Sequence, residues 1–215
     1  MTQKLENLKE LFNELDWRIF YPSVAVDLLS LVTSNRNAIR IPFSKNDKIN
    51  YLSLFKAWSI KNNLYYSHDE YYFVISKVNN ALTILLEDSS ENVHTQKFGG
   101  YMGYPHCCTE WMEDIGEQNI DFIESKLQNE RKYADIWKLI DIQYYLEGKS
   151  LISHIPCSSM CVSSLRQSLL TLSNLHTYHL HSGFYNWNLP NQNWLLKILD
   201  DYCKNIDTYI KEINT

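Results

Sequence analysis

Several features that would assign the chain to a common class of protein are missing. The first sixteen residues carry charges throughout and contain no apolar run, so no cleavable signal peptide is expected and the predicted location is the cytoplasm. The formal net charge is −5 and no basic cluster stands out, which argues against a nucleic-acid-binding surface. The expected partner is therefore a small molecule, and neither a membrane nor a nucleic acid; the oligomeric state stays open.

Two motifs of common enzymes are absent as well. Segment 98–103 lacks the spacing and the lysine of a phosphate-binding loop, and no G-x-S-x-G turn surrounds Ser158. What is present is a chain of 215 residues, 45% hydrophobic and 21% charged, which is long and apolar enough to bury a core. We expect a single domain over 1–215. A division into two subdomains is possible near residue 91, with the N-terminal helices and the hairpin on one side and a helical part that carries the cysteine motifs on the other.

The hydrophobic pattern predicts a mainly helical α+β fold with a small antiparallel β-hairpin or sheet. Apolar residues recur at helical spacing in the first part of the chain and again after residue 105. Helices are expected over 5–15, 24–33, 47–61, 107–115, 120–129, 131–146, 158–180 and 193–212. The β-rich runs 71–75 and 82–86 flank Asn79-Asn80 and predict a hairpin. Gly99, Gly100 and Gly103 predict a loop.

The cysteines are the most informative residues of the chain. Cys107 with Cys108 and Cys157 with Cys161 form two close pairs about fifty residues apart, whereas Cys203 stands alone and is expected to pack as a small apolar side chain. Without an export signal, paired thiols indicate metal or redox chemistry more than disulfides. A proline precedes each pair and favours a helix start, where the dipole and free N–H groups stabilise thiolates. Cys157 and Cys161 are expected on one helical face.

The spacing of the cysteines bears on the metal that they would bind. A tetrahedral zinc ion with Zn–S bonds of about 2.3 Å holds its sulfurs about 3.8 Å apart. Neighbouring residues project in different directions, so Cys107 and Cys108 are expected to share one ion only with strain, which favours an iron–sulfur cluster of the 4Fe–4S type over zinc. Two other interpretations stay open: a non-catalytic protein with a structural zinc or buried thiols, and a metal-free enzyme of thiol redox or sulfur-transfer chemistry.

Two polar residues near the second pair are candidate catalytic groups of a metalloenzyme. His154 precedes Cys157 by three residues and is suited to ligate a metal, to donate a hydrogen bond to a ligand or to act as a general acid. Arg166 is the one formally charged residue in 150–196, a polar segment that excludes a membrane span and is expected to line a small-molecule pocket. Arg166 would anchor a carboxylate or phosphate, or pair with a buried acid.

A separate group of histidines, His176, His179 and His181, lies within six residues. The first two share a helical face, which is compatible with a metal site. The following Ser182-Gly183 marks a helix end, where histidines also interact favourably with the terminal carbonyl groups. The helix-end interpretation is favoured.

Two of these motifs resemble the signature of a known family. The motif Gly-Tyr-Pro-x-Cys-Cys spans 103–108, and His-x-Pro-Cys-Ser-x-x-Cys-x-x-Ser spans 154–164. Together they resemble the uncharacterised prokaryotic family that is catalogued as domain of unknown function 483, over about residues 100–164. The resemblance implies that Cys107, Cys108, Cys157, Cys161 and His154 belong to one site, and it implies no reaction.

Overall fold

The computed structural model of the chain describes residues 2–34, 36–42, 48–88, 95–119, 135–182, 184 and 187–214. Its α-helices are α1 (Thr2–Glu14), α2 (Pro22–Thr33), α3 (Lys48–Lys61), α4 (Ala81–Asp88), α5 (Thr95–Met102), α6 (His106–Ile115), α7 (Val162–Ser182) and α8 (Gln192–Asn214). The strands are β1 (Ala38–Pro42), β2 (Tyr65–His68) and β3 (Tyr72–Ser76). They form one antiparallel sheet in the order β1-β3-β2. The mainly helical α+β class is thus confirmed.

The N-terminal helices follow the predicted hydrophobic patterns. Helix α1 buries Leu5, Leu8, Leu11 and Phe12, which recur at helical spacing and so share one face. Helix α2 is buried nearly all round and contacts α1, β1 and α7, which makes it the central helix of the main core. Pro22 opens this helix, where its missing N–H has no intrahelical partner to lose.

The sheet lies between two groups of apolar side chains. Ile39 and Ile75 are paired across β1 and β3 and belong to the main core with α1, α2, α7 and α8. Val74 points to the other face because successive strand residues alternate, and it packs in a second cluster with Ile84 of α4 and Met102 of α5. The sheet therefore separates the large helical core from α4 and α5.

The predicted hairpin of 71–75 with 82–86 is wrong. Strand β3 pairs instead with β1 and β2, and 82–86 lies within α4. Ala81, Ile84 and Leu85 are buried at helical spacing, and the N–H of Ile84 donates to the carbonyl of Asn80. A short apolar run is compatible with either period, and here the asparagines precede a helix start. The Ser76 hydroxyl binds the Asn80 side chain at 2.6 Å and holds this turn.

The middle of the chain is described only in part. The helix expected over 120–129 lies outside the described residues, as do 131–134 of the helix expected over 131–146. The remainder forms short 3-10 helices, Asp135–Ile140 and Ile142–Tyr144. The junction near residue 91 also falls outside the described residues, so the division into domains stays a prediction. None of the described helices combines the length with the apolar character that crossing a bilayer requires.

A buried ion pair joins α2 to the start of β1. Arg36 Nη1 lies 2.5 Å from Asp27 Oδ1, and Arg36 Nε donates to the carbonyl of Ala38 at 3.0 Å. The Tyr145 hydroxyl donates to the other oxygen of Asp27 at 2.7 Å. Burial and the charge of Asp27 raise the pKa of Tyr145, so this phenol stays protonated. The carboxylate is thereby fully engaged, as a buried charge requires.

Candidate metal centre

The first cysteine pair is positioned by a tight turn between α5 and α6. Gly99 and Gly100 lie inside α5 and not in the predicted loop, whereas Gly103 adopts a φ of 79° just after the helix. The N–H of Tyr104 donates to the carbonyl of Gly99, a hydrogen bond that closes a helix end with glycine at the left-handed position. In place of the predicted loop, only Gly103 has a left-handed backbone conformation, and α6 begins three residues later.

Close packing explains why Gly99 sits within a helix. A Cβ atom at Gly99 would lie 2.1 Å from Thr109 Cγ2, so only glycine lets α5 and α6 approach this closely. Helix α7 holds the same turn, because Gln167 Nε2 donates to the carbonyl of Gly103 at 2.9 Å. Cys107 and Cys108 then fall in the first turn of α6, as predicted.

The second cysteine pair differs from its prediction. The expected helix over 158–180 begins only at Val162, so Cys157 and Cys161 do not share a helical face. Cys161 caps α7: its carbonyl accepts from the N–H of Leu165 at 3.0 Å, and its Sγ accepts from the N–H of Ser164 at 3.5 Å. The carbonyl of Ser158 accepts the N–H of Cys161 at 3.2 Å and closes the turn that precedes α7.

The turn lets the four sulfurs converge on one point. Sγ of Cys161 lies 3.8 Å from that of Cys107 and 3.5 Å from that of Cys108, and the sulfurs of Cys107 and Cys108 are 3.9 Å apart. With Cys157 included, all four ligand atoms lie within 4.8 Å of one another. The expected divergence of the vicinal cysteines is thus wrong, because the first turn of α6 brings their sulfurs together. No other group of this kind occurs in the described part of the chain.

The thiols oppose one another's ionisation. The hydrogen bond donated by Cys108 lowers the pKa of Cys161, and the same hydrogen bond together with burial raises the pKa of Cys108. Burial and the charge of Cys161 raise the pKa of Cys157 to about 12. Cys108 and Cys161 are only 2% and 4% exposed, while Cys107 is exposed. One negative charge is therefore stable among these sulfurs without a cation, and several are not.

His154 is connected to the sulfurs through a serine. Its Nε2 lies 2.8 Å from Ser164 Oγ, which in turn lies 3.4 Å from Cys108 Sγ. Burial, together with the charge of Arg36, lowers the pKa of His154 to about 3, so the ring is neutral at neutral pH. Ser164 is the last residue of the second motif, but the sequence did not assign it to the site; its signal is its position three residues after a capping cysteine.

The other predicted candidates lie apart from the sulfurs. Arg166 is exposed on α7 and lines none of the cavities described below, so its role as an anion anchor stays a prediction. His176 packs its ring 6.1 Å from that of Tyr202, and His179 stacks 5.8 Å from Phe184. The side chains of His181 and Cys203 lie outside the described residues.

One cavity adjoins the cysteine centre, and a smaller cavity lies next to it. The larger measures about 470 Å³, and its wall includes Cys108, His154 and Arg40. A second cavity of about 230 Å³ shares Arg40, Tyr104 and Tyr145 with it. Residues 153–155, from the segment predicted to line a pocket, contribute to the larger cavity. Arg40 and Tyr104 are the wall residues that the sequence did not reveal, since each lies in a different segment of the chain.

Comparison of the chain with family models, with curated proteins and with solved structures gives no match. The resemblance of the cysteine motifs to domain of unknown function 483 therefore stays a prediction. What the chain can bind follows from its own geometry, in which four cysteines form a cluster compatible with a metal ion.

Proposed function

We propose that the chain is a metal-binding protein in which Cys107, Cys108, Cys157 and Cys161 hold one tetrahedral ion as thiolates, and that this ion is zinc. The sulfur separations carry the proposal: those among Cys107, Cys108 and Cys161 are 3.5, 3.8 and 3.9 Å, and all four sulfurs lie within 4.8 Å of one another. A tetrahedral zinc ion with four sulfur ligands spaces them about 3.8 Å apart. Sulfur-only donor sets select zinc, Cu(I) or iron–sulfur clusters among the biological metals.

The charge balance of the centre supports a bound cation. The hydrogen bond between Cys108 and Cys161 raises the pKa of Cys108 and lowers that of Cys161, and burial raises the pKa of Cys157 to about 12. Without a cation the thiols therefore do not all become thiolates. A divalent ion reverses that relation, since a coordinating thiol is deprotonated outright. Backbone donors for the sulfurs are already in place: the N–H of Ser164 faces Cys161 Sγ, and the N–H of Cys157 faces Cys108 Sγ.

The same geometry favours one ion over a cluster. An iron–sulfur cluster distributes its cysteine ligands over separate irons, so their sulfurs must stand farther apart than around a single ion. The preference for a cluster rested on an expected strain between Cys107 and Cys108, whose sulfurs lie 3.9 Å apart in the first turn of α6. Zinc therefore replaces iron–sulfur as the first candidate, and a 4Fe–4S cluster becomes the alternative outcome of the test.

A closed set of four ligands suits a structural ion, because catalytic zinc keeps one position for water or substrate. The ion would join α6 to the turn that precedes α7, two segments about fifty residues apart in the sequence. Cys108 also lines the larger cavity, so this connection holds part of the cavity wall in place. The proposed role of the metal is to stabilise that part of the fold.

Metal analysis of the full chain tests this proposal. Protein purified without oxygen is assayed for zinc, iron and acid-labile sulfide, with about one zinc per chain and no sulfide expected. Replacement by Co²⁺ then gives the absorption bands of a tetrahedral, thiolate-ligated ion. If the assays instead find iron with stoichiometric sulfide, the bound group is an iron–sulfur cluster and not zinc. Colourless, metal-free protein of full stability, unaffected by added zinc, would overturn metal binding altogether.

A further inference from the structure

The larger cavity has the size and chemistry of a small-molecule site. Its volume of about 470 Å³ falls within the range of roughly 300–1,000 Å³ that is usual for such sites. The wall is mostly apolar, with Phe98, Met112, Ile142 and Ile155 among its members. A few polar side chains also line it, as is common where a ligand must be oriented.

One end of the larger cavity is shared with the second cavity. Arg40, Tyr104 and Ser153 line both cavities, whereas Cys108, Met112 and Ile155 line only the larger one. The larger cavity thus runs from the shared end, which carries the charge of Arg40, to a part of its wall beside the cysteine centre that is mixed in character and includes His154.

Arg40 is the one formally charged side chain in the described wall of the larger cavity. Its guanidinium lies 4.4 Å from the ring of Tyr72 and 5.7 Å from that of Phe98, which holds it in place. Within the described part of the chain, Asp88 is its single hydrogen-bond partner, through Nη1. Since a guanidinium carries five N–H donors, most of them have no partner among the described residues and can bind a ligand.

Two further polar groups at this end are also unengaged among the described residues. Ser153 Oγ is buried and has no hydrogen-bond partner. The Tyr104 ring lies 5.0 Å from that of His154, and no hydrogen bond is recorded for its hydroxyl. Buried polar atoms are normally satisfied, so an unpartnered hydroxyl on a cavity wall indicates a bound polar group.

We propose that this cavity binds a small organic carboxylate with an apolar body, whose carboxylate is held by Arg40, Tyr104 and Ser153. The body extends along Phe98 towards Met112 and Ile155. The planar fork of arginine suits a carboxylate, and no acidic side chain is among the described residues of this wall, which favours an anionic ligand over a cationic one. The site does not depend on Arg166, and it does not depend on which metal the cysteines bind.

Binding of 2-naphthoate to the metal-loaded full chain tests the proposal, with the neutral 2-naphthamide as its isostere. Calorimetric titration is expected to give at least a tenfold higher affinity for the carboxylate, since a charged hydrogen-bonded group is worth about 1.5–3 kcal/mol, and each 1.4 kcal/mol is tenfold. Equal affinities for the two compounds, or no binding of 2-naphthoate at millimolar concentration, would overturn the proposal.

Variants locate the binding. Arg40→Met is expected to remove the preference for the carboxylate, and the matched variant Arg18→Met, at an exposed arginine that is also paired with an aspartate, is expected to keep it. Arg40→Met leaves Asp88 unpaired and can thereby destabilise the fold. Leu146→Trp therefore provides a second test, because the larger side chain would occupy part of the cavity. Leu82→Trp is its control, since Leu146 and Leu82 are 55% and 60% exposed and only Leu146 lines the cavity. Unchanged affinity in Leu146→Trp would place the ligand elsewhere and refute the site.

Discussion

The cysteine centre and the histidines of α7 show two contrasting ways in which metal-binding residue types are used. His176 and His179 are neighbours in sequence and share one helix, yet their rings pack against Tyr202 and Phe184. The cysteines come from two segments about fifty residues apart, yet all four sulfurs lie within 4.8 Å. A coordination sphere has to be closed from several directions, and a single helix face supplies ligands from one direction only.

The cysteine centre and the histidines of α7 also differ in the groups that surround them. The sulfur of Cys161 accepts the N–H of Ser164 in the first turn of α7, where negative charge is stabilised. The histidines of α7 meet aromatic rings, which contribute packing and no further ligand atoms. Spacing along one helix was therefore a poor guide to a metal site, whereas three of the four cysteines, Cys107, Cys108 and Cys161, lie at helix starts.

The largest effect is expected from breaking the cysteine centre. Cys108→Ser should abolish stoichiometric zinc binding, because the buried sulfur contacts Cys107, Cys161 and Ser164. At a free zinc concentration a thousandfold above Kd, the lost linkage would lower the free energy of unfolding by about 4 kcal/mol. Metal analysis and urea unfolding with and without zinc measure this.

Cys203→Ser is the control, since the sequence predicts that Cys203 only packs. It should retain one zinc per chain. If Cys108→Ser kept full occupancy, the assignment of the four ligands would be wrong.

A smaller effect, on the pH dependence of the free energy of unfolding, is expected from His154. Burial and the charge of Arg36 lower the pKa of His154 from 6.5 to about 3 in the folded chain. As the pH falls, His154 is therefore protonated in the unfolded chain before it is protonated in the folded chain. Stability is therefore unaffected by this group above pH 6.5 and falls as the pH drops from 6.5 towards 3, by about 1.4 kcal/mol per unit.

Unfolding of the wild type and of His154→Gln at pH 7, 5.5 and 4.5 isolates this contribution. The difference in free energy of unfolding between the two should be constant above pH 6.5 and should shift in favour of the variant below it. Parallel pH profiles would show that His154 is not held neutral.

Packing beside the first cysteine pair should matter next. Gly99→Ala places a methyl group 2.1 Å from Thr109 Cγ2, and such overpacking costs about 1–3 kcal/mol. Gly100→Ala is a matched control in the same helix, because its Cβ would meet nothing within 4 Å. It should be neutral or stabilising by up to about 1 kcal/mol, owing to helix propensity. Thermal or urea unfolding compares the two, and equal losses would contradict the close approach of α5 and α6.

The smallest effect is expected at the histidines of α7. His176→Gln and His179→Gln should leave the zinc content unchanged and alter the free energy of unfolding by about 1 kcal/mol or less, the value of an aromatic contact. Metal analysis of the double variant measures this. A loss of metal there would remove the contrast between the two regions.

Sequence patterns were sufficient wherever one period dominated. The leucines of α1 and the apolar residues of α2 are local signals, and both helices form close to the expected ranges, with α2 beginning at Pro22, two residues before its expected start. The segment 82–86 was ambiguous because five apolar residues fit a strand or a helix, and its packing on β3 and α5 selected the helix. The loop predicted from the glycine cluster was wrong because Gly99 is required by its close contact with Thr109, a residue on the next helix.

For the candidate site, the local sequence was enough to group the two cysteine pairs and to place the first pair at a helix start. Those inferences rest on neighbouring residues, whose influence is short in range. The separation of the sulfurs was decided by tertiary structure, because it depends on where α6 meets the turn before α7. The same holds for the cavity, whose wall combines Arg40, Tyr104 and His154 from three distant segments. Only the folded chain brings such residues within reach of one ligand.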